Sequence, residues 1–113
     1  MKYFETRFLE EADKFIAELD LKTAKKVFYN IDIAEQTNDP RLFKKLQNEI
    51  WEFRTLYSGL QIRLLAFWDK TEPKQTLVFA THGFIKKEQK TPVDEIARAE
   101  RIRKKYFEQK IKG

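Results

Sequence analysis

Few side chains in this sequence titrate near neutral pH or could serve as nucleophiles, and their types narrow the chemistry before any fold is considered. There is one histidine, His82, one serine, Ser58, and no cysteine. A lone imidazole, with neither a second histidine nor a suitably spaced acidic pair, does not build a catalytic metal site. Ser58 sits in a turn before Gly59 without the flanking pattern of a nucleophile elbow, and Gly59, Gly83 and Gly113 are too scattered to form a phosphate-cradling loop. Without cysteine there is no thiol nucleophile, disulfide framework or Cys-based metal centre. These absences point away from serine and cysteine hydrolases, metalloenzymes and nucleotide-dependent enzymes, and no cofactor or metal is expected.

Cations remain. In Trp51-Glu52-Phe53-Arg54 the alternation sends Glu52 and Arg54 to the face opposite Trp51 and Phe53, so Arg54 is expected on the less buried face of a strand. Arg63 lies on the next strand, and a regular hairpin turning at Ser58-Gly59 would make the two arginines near cross-strand partners, within reach of one phosphate. The plainer alternative is that Arg54 pairs with Glu52 or Glu49 and Arg63 with a carboxylate on a helix. A third strand is expected to end in a loop, His82-Gly83-Phe84-Ile85-Lys86-Lys87-Glu88-Gln89-Lys90, that offers one titratable imidazole and three lysines. His82 could transfer a proton or be a packed residue at a strand end. Trp51 and Trp68 could stack a base, but aromatic residues on an apolar strand face read as core.

The elements that must position these groups follow from periodicity. Leu9, Ala12, Phe15, Ile16 and Leu19 mark an amphipathic helix. Ala24, Val27, Phe28 and Ile31 mark a second that ends before Thr37-Asn38-Asp39-Pro40, and the short connection suggests an antiparallel hairpin. From Ile50 the period becomes two, giving strands around Ile50 to Arg54, Leu60 to Leu64 and Thr76 to Thr81 that form an antiparallel meander, with Lys2 to Arg7 a possible edge strand. Thr91-Pro92-Val93-Asp94-Glu95 opens a last helix to about Gln109, with Thr91 as cap. Its apolar stripe runs through Ile96, Ala99, Ile102 and Tyr106, while Arg98, Arg101, Lys104 and Lys105 lie largely off it.

The chain carries 23 basic and 18 acidic residues in 113, with ten phenylalanines, four tyrosines and two tryptophans, which suits a folded single domain over 1–113 rather than a disordered tail. Residues 1–81 are neutral, with 13 charges of each sign, whereas residues 82–113 hold ten basic and five acidic side chains. That asymmetry suggests contact with a polyanion. Neither a signal peptide nor a membrane-spanning segment is expected, and cysteine-free usage reads as cytoplasmic.

Phe43-Lys44-Lys45-Leu46, Ile50-Trp51-Glu52-Phe53-Arg54, Ile62-Arg63-Leu64-Leu65 and above all the stretch from His82 through Thr91-Pro92-Val93 to Ala99 resemble the RelE/HigB superfamily of bacterial toxin–antitoxin toxins, in its phage-derived HigB-like branch. The resemblance spans about Leu42 to Tyr106. It implies an α+β, RelE-like fold: an N-terminal helical hairpin, a small curved antiparallel sheet and a C-terminal helix. It further implies the toxin of a type II toxin–antitoxin system, a ribosome-dependent, metal-independent mRNA endonuclease that inhibits translation by directing the substrate 2′-OH onto the adjacent phosphate. Matched position by position, Arg54, Arg63, His82, Lys86 and Lys87 fall in the implied catalytic set; the cations of the basic C-terminal third, Lys90, Arg98, Arg101, Lys104 and Lys105, are expected to bind RNA through their charge. The implied partners are mRNA on the ribosome and a cognate antitoxin, of helix-turn-helix type. No tyrosine or second histidine near the C-terminal end matches the one some members use. That gap keeps two alternatives open, a ParE-like gyrase-inhibiting toxin and a non-catalytic RNA-binding protein.

Overall fold

The computed structural model describes residues 2–112. A five-stranded sheet forms its middle layer, built from β1 (Glu5–Phe8), β2 (Phe43–Gln47), β3 (Ile50–Tyr57), β4 (Leu60–Asp69) and β5 (Leu77–Ile85) in the order β1-β5-β4-β3-β2. The helices are α1 (Glu10–Ala17), α2 (Leu21–Thr37) and α3 (Val93–Lys112). The α+β class agrees with expectation. The sheet, however, is mixed: β2 to β5 pair antiparallel, whereas β1 joins β5 in parallel, Glu5 opposite Leu77 and Phe8 opposite Ala80.

Strand alternation sorts the core into two layers. Phe53, Ile62, Leu64, Ala66, Val78 and Ala80 face α1 and α2, meeting Ala12, Ile16, Val27, Ile31 and Ala34. Ile50, Leu65 and Phe67 face α3, meeting Ile96 and Ala99. Burying each large side chain contributes on the order of 2 kcal/mol. α1 docks chiefly on β5 and α2 on β3, so the sheet rather than the neighbouring helix covers their apolar stripes. Gly83 permits the close approach of α1, because a Cβ there would lie 2.2 Å from the Phe15 ring.

Local signals explain most boundaries. Asp20 caps α2 by accepting from the Thr23 N–H at 2.8 Å, and Asn38, in the left-handed conformation at φ 54°, ends it. Ser58 and Gly59, with φ of 50° and 76°, make the tight β3–β4 turn. Two expectations are corrected. His82 lies inside β5 and not in a loop after it: a bulge at Thr81 resets the register, and pairing continues to Ile85 opposite Ile62. Thr91 does not cap α3, whose first bond goes to the Pro92 carbonyl; its hydroxyl is drawn to the buried Glu52 carboxylate.

Candidate functional site

The β3–β4 hairpin sets Arg54 directly opposite Arg63. Since Arg54 donates its N–H to the Leu42 carbonyl on the β2 side, Arg54 and Arg63 are a non-hydrogen-bonded pair across β3 and β4, the arrangement that brings side chains closest. Both project toward the α3 side of the sheet. That face is not the open one anticipated from alternation, because the start of α3 and the segment before it cover it. Arg63 is 4% exposed and Glu52, two residues before Arg54, is 2% exposed.

Glu52 lies between the two guanidiniums, 3.3 Å from Arg63 Nε and 3.6 Å from Arg54 Nε, and also accepts from the Thr91 hydroxyl. Arg63 donates from Nη1 to the Ile62 carbonyl at 3.3 Å and from Nη2 to Gln61 Oε1 at 3.1 Å. Neither Arg54 Nε nor Arg63 Nε has a hydrogen bond of good geometry. One carboxylate therefore serves two arginines, leaving an excess of positive charge in a poorly solvated place. The strain appears in Arg63, whose pKa burial pushes below the ordinary guanidinium value, with Glu52 opposing and Arg54 adding to the shift.

A cleft of about 320 Å³ opens beside this triad, lined by Lys44 of β2, Arg54, Glu52, Lys86, Lys90 and Thr91 among others. Lys86 follows β5, with its N–H bonded to the Gln61 carbonyl at 2.7 Å. Burial, Arg63, Arg54 and Lys44 depress its pKa, and only Glu52 resists. Such a group gives up a proton more readily than an ordinary lysine. Lys44 stands in the Phe43-Lys44-Lys45-Leu46 motif but is not among the site residues expected from sequence, because Phe43 to Gln47 is too short and too charged to stand out as a strand; its pairing with Glu52 across β2 and β3 is what puts it at the cleft.

The other residues singled out from sequence are dispersed. Lys87 is exposed and does not line the cleft, while Lys90 is exposed at its rim. His82 is 1% exposed, with Nδ1 3.0 Å from Thr81 Oγ1 and Nε2 3.0 Å from Glu95 Oε1 on α3. Burial lowers its pKa and Glu95 opposes, so the ring is neutral at pH 7; with Glu95 ionised, Nε2 carries the proton and donates to it. Arg98 is engaged with Glu11 of α1 rather than free. Arg101, Lys104 and Lys105 are exposed on α3. Counted from Ile96 at the cleft, they lie roughly 8 to 14 Å farther along the helix axis.

A second buried acid escaped the sequence reading. Asp69, 0% exposed at the end of β4, accepts from Tyr106 at 2.6 Å, Lys110 at 2.7 Å and both the N–H and hydroxyl of Thr71. Burial alone would raise its pKa, but the bonds from Lys110, Thr71 and Tyr106 outweigh it and hold the carboxyl well below the ordinary range. These contacts pin the C-terminal half of α3 to the sheet. The only sequence signal was Tyr106 in the apolar stripe, and its hydroxyl needs a buried partner.

Among the described residues, no helix is long and apolar enough to cross a membrane. No curated protein matches the chain. The pattern of the family described as Phage derived protein Gp49-like (DUF891) matches residues 14–104, most of the chain and the whole of the cationic cleft. The chain belongs to this Gp49-like family, a toxin–antitoxin-associated family of RelE/HigB-like proteins.

Proposed function

We propose that this protein, of the HigB-like branch, is an mRNA endonuclease that acts on the translating ribosome, with the cleft around Arg54, Arg63, Lys86 and Lys44 as its active site. The observation that carries the reading is the imbalance of charge there: three lysines and two arginines gather around the single carboxylate of Glu52. An excess of positive charge, with Lys44, Arg54 and Arg63 held on strands and Arg63 buried, is suited to a phosphate that gains charge in its transition state.

In the proposed step the substrate 2′-hydroxyl gives its proton to solvent water and its oxygen bonds to the adjacent phosphorus as the bond from phosphorus to the 5′-oxygen breaks. The products are a 2′,3′-cyclic phosphate and a free 5′-hydroxyl, and no metal takes part. Arg54 stabilises the phosphoryl oxygens, and Arg63, which does not itself line this cleft, acts from beneath through its Glu52 contact. Lys86, with its depressed pKa, is the group suited to protonate the leaving 5′-oxygen. His82 does not reach the cleft in this account; it is a positioning residue that ties β5 to α3. Lys87, Lys90, Arg101, Lys104 and Lys105 attract RNA at longer range, and Arg98 contributes less because Glu11 engages it.

The partner in this reading is an antitoxin, of helix-turn-helix type, that silences the cleft by filling it or by blocking ribosome docking. The neutral, buried state of His82 favours keeping one alternative, a ParE-like toxin acting on gyrase, since no imidazole is available as base. Induced expression separates the two. The nuclease reading expects growth arrest with mRNA breaks in translated regions, both relieved by Arg63→Ala. Intact transcripts with DNA breaks would support the alternative and overturn the nuclease.

A further inference from the structure

A larger cleft of about 580 Å³ lies on the other side of Arg54. We propose that it is a second nucleotide subsite, which takes the nucleotide adjoining the one whose phosphate meets Arg54; the proposal rests on the RNA-cleaving reading and adds the path of the strand. Its volume is in the range of sites for single small ligands, about 300 to 1,000 Å³.

The cleft forms where β2 stops. Phe43 is the first residue of β2 and lies opposite Phe53, so β3 runs on past it with an open edge. Arg54 turns its N–H to that edge, and alternation turns the main-chain groups of Leu56 the same way, where no strand follows. Lys26 and Asn30 of α2 close one side, Gln61 and Arg63 of β4 another, and Arg54 is the wall shared with the Lys86 cleft.

The lining includes no carboxylate. Arg41 is taken up by Asp39, which leaves Lys26, Arg54 and Arg63 as the cations the cleft presents. Arg63 is nine-tenths buried or more, with its guanidinium tip bonded to Gln61 in this cleft, while its Nε faces Glu52 at 3.3 Å without a hydrogen bond of good geometry. Hydrogen-bonding groups that can read a base edge accompany the charge. Asn30, 8% exposed, donates from Nδ2 to Thr55 Oγ1 at 3.3 Å, which leaves its carbonyl oxygen as an acceptor. Gln61 Oε1 accepts from Arg63 Nη2, which leaves the Gln61 amide N–H groups as donors. An acidic peptide would also suit the charge, but between Arg54 and the Ser58-Gly59 turn only Leu56 offers main-chain groups at the open edge, too little for an added strand. A mix of donor, acceptor and cation around a one-residue opening fits a nucleotide better.

The test uses the full-length protein and single-stranded RNA of two or four nucleotides with every 2′-oxygen methylated, which cannot be cut. Binding is followed by fluorescence anisotropy from 50 to 200 mM salt. Lys26→Gln should weaken both RNAs about fivefold at low salt and lower the salt slope of each by about 0.7. Lys25→Gln, the same charge change one residue away on the face beside Phe28 and Asp32, should do neither. Equal behaviour of the two variants overturns the subsite. So does a hexaglutamate peptide that binds more tightly than the RNA and loses that binding in Lys26→Gln. If Arg54→Gln loses RNA and Lys26→Gln does not, the subsite fails while the cleavage reading stands; wild-type protein that binds no RNA overturns both.

Discussion

Replacing Glu52 with glutamine removes the one negative charge from the arginine pair while keeping the size of the side chain. Its carboxylate sits 3.3 and 3.6 Å from the two guanidinium nitrogens. At an effective dielectric constant of about 20, a unit charge pair at such a distance attracts by roughly 5 kcal/mol before desolvation is subtracted. Breaking a buried pair from one side costs about 3 to 5 kcal/mol net. Arg54 is one-third exposed and can turn toward water, whereas Arg63, 5% exposed at its side chain, cannot, so the low end applies, about 3 kcal/mol. For a domain of this size that lowers Tm by roughly 12 °C or more. RNA affinity should move the other way, rising at low salt as the cleft gains net charge. Thermal unfolding and RNA anisotropy on the same sample read both effects, and the double variant Glu52→Gln with Arg54→Gln should be less unstable than the two single costs combined. A Glu52→Gln protein that melts within about 2 °C of the parent would show that Glu52 is not the counter-ion of a buried pair, and the charge-imbalance argument would fail with it.

Other expectations concern the supports of the site. Asp69→Asn removes the acceptor of the Lys110 ion pair and should cost about 2 to 3 kcal/mol, read by urea unfolding. Because the folded-state pKa of Asp69 is depressed, its stabilisation is complete above the unfolded value near 3.8 and is lost as pH falls below it; the variant should show a shallower loss of stability below pH 4. The folded-state pKa of His82 is also below its ordinary 6.5, so folding favours the neutral ring, and stability present above pH 6.5 should fall as pH drops beneath it. His82→Gln should flatten that part of the Tm profile, and an unchanged profile would contradict the buried neutral imidazole. Neutralising Arg101, Lys104 and Lys105 together should weaken RNA binding and lower its salt slope by about two, while leaving single-turnover cleavage at saturation nearly intact.

The residues that alternate or repeat were the legible part of this sequence. Both N-terminal helices, the β3–β4 hairpin and the long last helix follow from apolar period and turn residues, and Arg54 opposite Arg63 follows from a two-residue turn at Ser58-Gly59. What stayed hidden depended on contacts distant in the chain. β1 is four residues long and finds its partner, β5, some seventy residues later, so its parallel direction has no local signature. The Thr81 bulge keeps His82 within a strand and turns it toward Glu95, although the stretch from His82 onward reads as a loop in the sequence. Glu52 read as a surface partner of Arg54, yet the segment carrying Thr91 buries it and makes it the hub of the site. Asp69 was hinted at only by Tyr106 in the apolar stripe of α3, since its partners Tyr106 and Lys110 are assembled only when α3 crosses the sheet.

The proposed activity rests most directly on Arg54, which walls both clefts and is exposed enough that its loss should leave the fold intact. Purified protein at saturating concentration should cut mRNA on translating ribosomes in a single turnover, leaving a 2′,3′-cyclic phosphate end. Arg54→Gln, folded and equally saturating, should cut about 10²-fold more slowly, the scale on which removal of one transition-state donor is felt. Cleavage by Arg54→Gln at the parental rate, or no cleavage by the parent on translating ribosomes, would contradict the account.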